Sequence, residues 1–169
     1  SAQNNRVIYE YKFAPDSTKI DTIKTEWMYL DINKKGSKFY SKSTFESDSI
    51  VQESVKKQMS SGMKSVSISR SRIGGEINYE VEKTYPDYKT SLVSSIGNDT
   101  YKVSEDRKID WKMSSEKKKI VEFETQKATT NFAGRNWTAW FTTDVPIQDG
   151  PYKFSGLPGL IVEISDQTG

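Results

Sequence analysis

The sequence predicts a mainly β fold: a curved antiparallel sheet or half-barrel of about ten strands with one helix near residues 48–61. Three observations carry this prediction. Short runs of alternating apolar and polar residues recur along the chain, each bounded by turn residues. Aromatics make up 12% of the residues while the hydrophobic total is only 34%, a mix that suits half-exposed sheet faces better than a parallel sheet buried on both sides. A single segment has helical spacing, so turns rather than crossover helices must join the strands, and antiparallel pairing follows. The 169 residues show no repeat or linker, and residues 1–169 read as one β-rich domain.

Val7, Tyr9, Tyr11 and Phe13 share one face of the first strand, and Pro15-Asp16-Ser17 turns the chain. Glu26–Ile32 forms a second strand, Asn33-Lys34-Lys35-Gly36 a hairpin turn, and Ser37–Ser41 the return. The helix has Asp48 as N-cap, a stripe from Ile50 or Val51 through Val55 to Met59, and a stop at Gly62. A short strand is expected around Val66, Ile68 and Arg70, then one through Ile77, Tyr79 and Val81 that ends at Pro86. Lys89–Ile96 and Asp99–Val103 pair around Gly97-Asn98. Ile109–Met113 reads as a strand, Ser114-Ser115-Glu116 as a turn, and Lys119–Phe132 as one long strand. Ala133–Asn136 closes a hairpin onto Trp137–Thr142, with Trp137, Ala139 and Phe141 on one face and Trp140 on the other.

Gly150–Ile161 sets two prolines and three glycines among large apolar side chains, which excludes regular helix. It leads into a strand, Leu160–Ile164. Leu157, Leu160 and Val162 do not share strand parity, so a kink or bulge is expected near Pro158-Gly159, where Gly156 and Gly159 supply backbone freedom or close approach.

Composition narrows the chemistry. The chain has neither cysteine nor histidine. A disulfide framework, a thiol nucleophile and zinc–thiolate sites are excluded, and the commonest general base is missing. A net charge of +2 gives no general case for nucleic acid. No apolar run approaches the roughly 18 residues of a membrane span. Ser54-x-x-Lys57 and Ser114-x-x-Lys117 read as a helix face and a turn. Asp144 and Asp149 flank the Pro146 loop, and Glu163 and Asp166 follow the glycine-rich segment; none comes with a sugar-binding arrangement. Asp31–Gly36 begins like a calcium loop, but Lys35 and Lys42 stand where oxygen ligands are needed, so a hairpin turn is the better reading. No catalytic, metal or cofactor site is assigned. Lys117-Lys118-Lys119 reads as a charged, aggregation-blocking edge. Trp137, Trp140, Phe141 and Tyr152 form a candidate ligand or partner surface beside the reading as sheet core, and Trp140 has the parity to stand on the non-core face.

Gly156–Ile161 spells GLPGLI. With Trp111, Lys127-Ala128, Gly134-Arg135, Trp140-Phe141-Thr142 and Gly150-Pro151-Tyr152-Lys153-Phe154 around it, the stretch from Trp111 to Asp166 resembles the family of exported Bacteroidota proteins named for that hexapeptide. The resemblance makes Gly150, Pro151, Tyr152, Phe154, Gly156, Leu157, Pro158, Gly159, Leu160 and Ile161 the family motif, with a structural role. It implies export after signal-peptide cleavage, a periplasmic or outer-membrane-associated location, and no established enzymatic activity. Members commonly continue past the motif, so a chain stopping at Gly169 is expected to lack C-terminal strands and to show an open sheet edge. Asp16-Ser17-Thr18, Asp21-Thr22-Ile23 and Asp48-Ser49-Ile50 fit the loose O-glycosylation triplet of such exports. The expected function is a non-enzymatic binding or assembly domain for an outer-membrane protein complex, a peptide or a lipid. The alternatives are a hydrolase using carboxylates or a Ser-Lys pair, and a permanent structural subunit of an outer-membrane transport or secretion complex.

Overall fold

The computed structural model describes residues 5–13, 24–43, 79–96, 99–105 and 107–166. The helix expected near residues 48–61, the strand around Val66–Arg70 and the three glycosylation triplets lie outside the described residues. Ten strands are described: β1 (Asn5–Phe13), β2 (Lys24–Ile32), β3 (Gly36–Ser41), β4 (Tyr79–Thr84), β5 (Lys89–Ile96), β6 (Asp99–Glu105), β7 (Lys112–Ile120), β8 (Phe123–Phe132), β9 (Arg135–Thr142) and β10 (Leu160–Asp166). They form two antiparallel sheets, β1-β2-β3-β4-β5-β6 and β10-β9-β8-β7, neither closed into a barrel. The expected mainly β, antiparallel architecture is present, divided between two sheets where one curved sheet was expected. Contacts separate the chain into two compact units, Ser1–Lys83 with Ser91–Val103 and Thr84–Thr90 with Ser104–Gly169.

In the first unit, β2 carries the alternation that fixes its register: Glu26, Met28, Leu30 and Ile32 are buried, and Trp27 between them is exposed. Phe39 of β3 lies opposite Leu30, and Val81 of β4 is buried with them. Glu26 is buried with its carboxylate accepting the Ser41 hydroxyl at 2.9 Å. The β2–β3 turn is closed by Asn33, whose side-chain oxygen accepts the amides of Lys35 (2.7 Å) and Gly36 (3.1 Å). That oxygen is used by the turn, as the hairpin reading of this loop requires. On the opposite face Asp31 accepts Arg6 (2.7 Å) and the Tyr40 hydroxyl (2.5 Å), and the Arg6 guanidinium lies 4.2 Å from the Tyr29 ring centroid. Burial pushes the Asp31 carboxyl up, but the hydrogen bonds from Arg6 and Tyr40 outweigh it and hold the group below its ordinary range. Burial and the same carboxylate push the Tyr40 phenol up to about 12.

In the second unit, the strand boundaries differ from the sequence reading. Residues 107–111 are irregular, and β7 begins only at Lys112. The reason is local: the Trp111 indole donates to the Ser155 carbonyl at 2.8 Å, and Thr130 of β8 donates to the Asp110 carbonyl at 2.8 Å. These bonds hold the stretch against its own unit. Ser114–Glu116 is no turn. It lies within β7, where the register with β8 shifts between Met113 and Lys117, and the Ser114 hydroxyl accepts the Glu116 amide inside that irregularity. The reversal comes at Val121–Glu122, with Val121 at φ 55°. The expected Lys119–Phe132 strand is therefore β8 from Phe123 onward, with its first residues across the turn at the end of β7. The β8–β9 turn is where it was expected, a two-residue Ala133-Gly134 loop with φ of 55° and 77°. Positive φ at both positions is the form whose twist matches paired strands.

Candidate functional site

The four-stranded sheet has one apolar face, and an apolar sheet face must be covered. Gln126, Ala128 and Thr130 of β8 pair with Phe141, Ala139 and Trp137 of β9, while Ile161 and Ile164 of β10 pair with Phe141 and Ala139. The buried cluster on this face is Ala128, Phe132, Ala139, Phe141 and Ile161, joined by Phe154 and Leu157. The last two come from the connection between β9 and β10. Adjacent antiparallel strands can be joined by two residues; here residues 143–159 make a long excursion whose own side chains become the covering layer.

Phe154 is the hub of that layer. Its ring centroid lies 4.8 Å from Trp137, 5.6 Å from Phe132, and 6.2 Å from both Trp111 and Tyr152. The indole hydrogens are satisfied, Trp111 by the Ser155 carbonyl and Trp137 by the Phe132 carbonyl at 3.0 Å, so both rings are held in place. A turn with Tyr152 at φ 53° and the Phe154 amide on the Pro151 carbonyl (3.1 Å) delivers Phe154 inward. The amides of Gly156, Leu160 and Ile161 bond back to the carbonyls of Gln148, Val145 and Asp149 at 3.0–3.1 Å.

At the neck of the loop two glycines allow close approach. A Cβ on Gly150 would stand 2.8 Å from Ile161 Cδ1, and one on Gly159 would stand 1.9 Å from the Thr142 carbonyl oxygen. Gly156 has φ +98°, and a Cβ there would meet Trp111 only at ordinary contact distance, 3.8 Å, so its requirement is conformational. The bend runs through Leu157–Gly159, β10 starts at Leu160, and a bulge follows between Ile161 and Glu163. The irregularity expected near Pro158-Gly159 is present as bend and bulge in succession.

Two polar contacts anchor the loop, one buried and one near the surface. Asp149 is fully buried; its carboxylate accepts the Tyr85 hydroxyl at 2.5 Å and the Gly150 amide at 2.7 Å. Burial and the Asp149 charge raise the neighbouring Tyr88 phenol. Glu105 receives three hydrogen bonds from Arg107, two from the guanidinium (2.7 and 2.9 Å) and one from the backbone amide (3.3 Å), and one from Lys153 at 3.2 Å, and Arg107 stacks 4.7 Å from the Phe132 ring centroid. Hydrogen bonds from Arg107, outweighing burial and helped by Lys153, bring the Glu105 carboxyl down to about 2. Composition gave no signal for this trio. Only Lys153, within the motif, was in view.

The structure does not gather Trp137, Trp140, Phe141 and Tyr152 into one open surface. Phe141 is buried, and Trp137 and Tyr152 pack on the core cluster. Trp140 stands on the opposite face, as its parity required, between Lys127 and Glu163 in the strand pairing. It is not left bare. Lys118 lies 4.3 Å from its ring centroid and reaches Glu163 at 3.0 Å, so an ion pair crosses the indole. A second pair, Lys127–Glu116 at 3.2 Å, shares this face. Of the carboxylates considered for hydrolysis, Asp149 is sealed, Glu163 is paired with Lys118, Asp166 meets Arg135 at 2.7 Å, and Asp144 is exposed. Ser54 and Lys57 lie outside the described residues. A hollow of about 110 Å³ is lined by Lys117, Glu124, Thr125, Gln126, Phe141 and Thr143, against the ~300–1,000 Å³ common for small-molecule sites.

Open surface lies instead at a sheet edge. Every residue of Asp99–Ser104 in β6 is exposed, on both faces of the strand. Tyr101 and Val103 are 49% and 59% accessible.

A family model described as a protein of unknown function (Porph_ging), a Bacteroidota-associated family, matches residues 132–163. Those residues cover the end of β8, β9, the covering loop and the start of β10. No curated protein matches. Two solved structures of PNGF-II, in different crystal forms, are similar to this chain, each with a TM-score of 0.60 and 15% identity. The first match covers 99% of this chain and 28% of that one, the second 97% and 26%. The likeness is one of fold, and the chain spans little more than a quarter of the PNGF-II length.

Proposed function

We propose that this chain is a non-enzymatic binding or assembly domain of the bacterial envelope, exported to the periplasm or outer membrane, and that it takes up a partner's extended segment at an open sheet edge. The observation that carries this reading is β6, an edge strand among the described residues, exposed on both faces with Tyr101 and Val103 uncovered. Such an edge offers unpaired backbone groups for strand addition, with side-chain contacts supplying selectivity. The other sheet's β7 edge is guarded by Lys117, Lys118 and Lys119 and broken by a register shift, features that discourage pairing. The envelope location draws support from the GLPGLI resemblance and from the match to a Bacteroidota-associated family. The sealing of Asp149 and the ion pairs of Glu163 and Asp166 support a binding role over hydrolysis. A peptide or protein partner is favoured over a lipid, because the aromatic residues of the motif are spent on the core.

The test is capture from outer-membrane extracts of the native host by wild type, Val103→Lys and Trp140→Ala. A discrete partner retained by wild type and Trp140→Ala but lost with Val103→Lys is expected. Capture that survives Val103→Lys and disappears with Trp140→Ala would move the binding surface to the other sheet and overturn the edge reading.

A further inference from the structure

The exposed β6 edge has a complement on the same chain. β1 is the opposite edge of the six-stranded sheet among the described residues. Neighbouring strands there follow chain order, and β1 and β2, and β2 and β3, run antiparallel. In such a meander the first and sixth strands point in opposite directions, so β1 of another copy placed beside β6 would continue the sheet with antiparallel pairing.

The side-chain faces also match. Lys38 meets Glu80 at 3.2 Å, and Lys102 meets Glu82 at 3.6 Å, so Lys102 lies on the face that carries Lys38. Tyr101 and Val103 therefore lie on the other face, that of buried Val81 and Phe39. On β1 that same face carries Tyr9, whose ring is 6.2 Å from Phe39, together with Tyr11. Keeping like faces together requires residue numbers of equal parity to be opposed. One such register puts Lys102 opposite Glu10, Tyr101 opposite Tyr11, and Val103 opposite Tyr9. An opposite-charge pair then lies on the outer face and two apolar pairs on the inner one. The ion pairs these charges make within one chain are weak and surface-exposed: Lys12–Glu10 and Lys102–Glu82 are both 3.6 Å, with side chains 43–65% accessible. They can exchange.

We infer that the partner at this edge is a second copy of this chain, joined head to tail with β6 of one copy pairing with β1 of the next in the Lys102–Glu10 register. The inference rests on the reading of β6 as a binding edge. Because the contact is heterologous, it propagates into a linear array unless its rotation closes a ring.

The chain has no cysteine, so disulfide mapping reports only introduced pairs. The chain carrying both Lys102→Cys and Glu10→Cys is oxidised at about 0.5 mM, a concentration suited to weak edge contacts. The two positions sit at opposite edges of one sheet, five strand spacings or roughly 24 Å apart, far beyond the ~7 Å limit between bridged Cα atoms. Bonds must therefore join different molecules. A ladder of dimers, trimers and higher species is expected, and an equimolar mix of the two single-cysteine chains should give heterodimer in at least roughly fivefold excess over either homodimer. Adding Val103→Lys should cut the ladder about tenfold. With cysteines absent, Lys102→Glu and Glu10→Lys should each weaken self-association measured by sedimentation, and the two together should restore it. Homodimers of Lys102→Cys in equal yield would overturn head-to-tail pairing in favour of two-fold pairing of β6. Absence of any ladder, with partner capture still lost in Val103→Lys, would overturn self-pairing while leaving the edge reading standing. Indifference of both ladder and capture to Val103→Lys would overturn the two together.

Discussion

Gly159→Ala should be the most damaging single-methyl addition in the covering loop. The new Cβ would lie 1.9 Å from the Thr142 carbonyl oxygen, 2.6 Å from its carbon and 3.0 Å from the Thr143 nitrogen. All three are backbone atoms at the end of β9. Carbon and oxygen settle near 3.3 Å or beyond, so the chains must part by roughly 1.4 Å. That movement strikes the Leu160–Thr142 pair where β10 begins and the bond from the Leu160 amide to the Val145 carbonyl. Overpacking of about 1–3 kcal/mol, with one strained or lost buried hydrogen bond at about 1–3 kcal/mol, gives about 2–6 kcal/mol. Gly156→Ala has space, its nearest neighbour being Trp111 Nε1 at 3.8 Å, but sits at φ +98°, for a cost of about 1–2 kcal/mol. Gly150→Ala meets Ile161 at both Cδ1 (2.8 Å) and the backbone-fixed Cβ (2.9 Å), without touching backbone atoms, and should fall between the two. Urea unfolding followed by tryptophan fluorescence reads the series directly, because Trp111 and Trp137 pack on the loop's Phe154. Gly159→Ala within about 0.5 kcal/mol of wild type, the range of ordinary surface substitutions, or above Gly156→Ala in stability, would refute the close-packed neck.

Phe154→Ala should cost about 3–5 kcal/mol, while Phe154→Leu, which keeps most of the buried volume but loses the ring contacts, should cost less but remain measurably below wild type in the same unfolding curves; a Leu variant as stable as wild type would mean the aromatic surround is not specific. Val121→Asn should stabilise the β7–β8 hairpin by about 1 kcal/mol, since a β-branched residue at positive φ is replaced by one that tolerates it and an 87% accessible side chain loses little burial; a lower urea midpoint would contradict the turn geometry. Glu105 has a depressed carboxyl, about 2 against an ordinary 4.5, so its stabilising contribution is present above about pH 4.5 and is lost as pH falls toward 2. Glu105→Gln should flatten the stability profile across that window by on the order of 1 kcal/mol, discounted because the Arg107 partner is exposed; an unchanged acid slope would mean the trio does not hold the loop.

Strands with one buried face were legible in the sequence because burial imposes period two. Glu26–Ile32 and the Trp137–Thr142 strand were placed from alternation, Lys89–Ile96 from the Gly97-Asn98 turn that follows it, and the Asn33 and Ala133-Gly134 turns from residues suited to their backbone. β7 was not legible, because an edge strand exposed along most of its length has no apolar period to show; Ser114-Ser115-Glu116-Lys117-Lys118-Lys119 looks like a turn and a charge run. The reversal at Val121-Glu122 carries no glycine, proline or asparagine to announce it. The motif was legible as irregular and structural, down to the bend at Pro158-Gly159. Its task of covering a sheet was not, because that depends on which face needs a cover. Trp140 had the right parity for the outer face, but the Lys118–Glu163 pair across it depends on positions 45 residues apart in sequence and three strands apart in the sheet. β6 was placed as a strand; its exposure as an edge follows only from sheet order.

The division of labour between a sealed motif and an open β6 edge can be measured with a photoreactive phenylalanine analogue placed singly at position 103 or at position 140 and irradiated in the native host. Adducts from position 103, with none from position 140, are the expected result. Adducts from position 140 together with silence at position 103 would place the contact surface on the four-stranded sheet and contradict the edge as the site of binding.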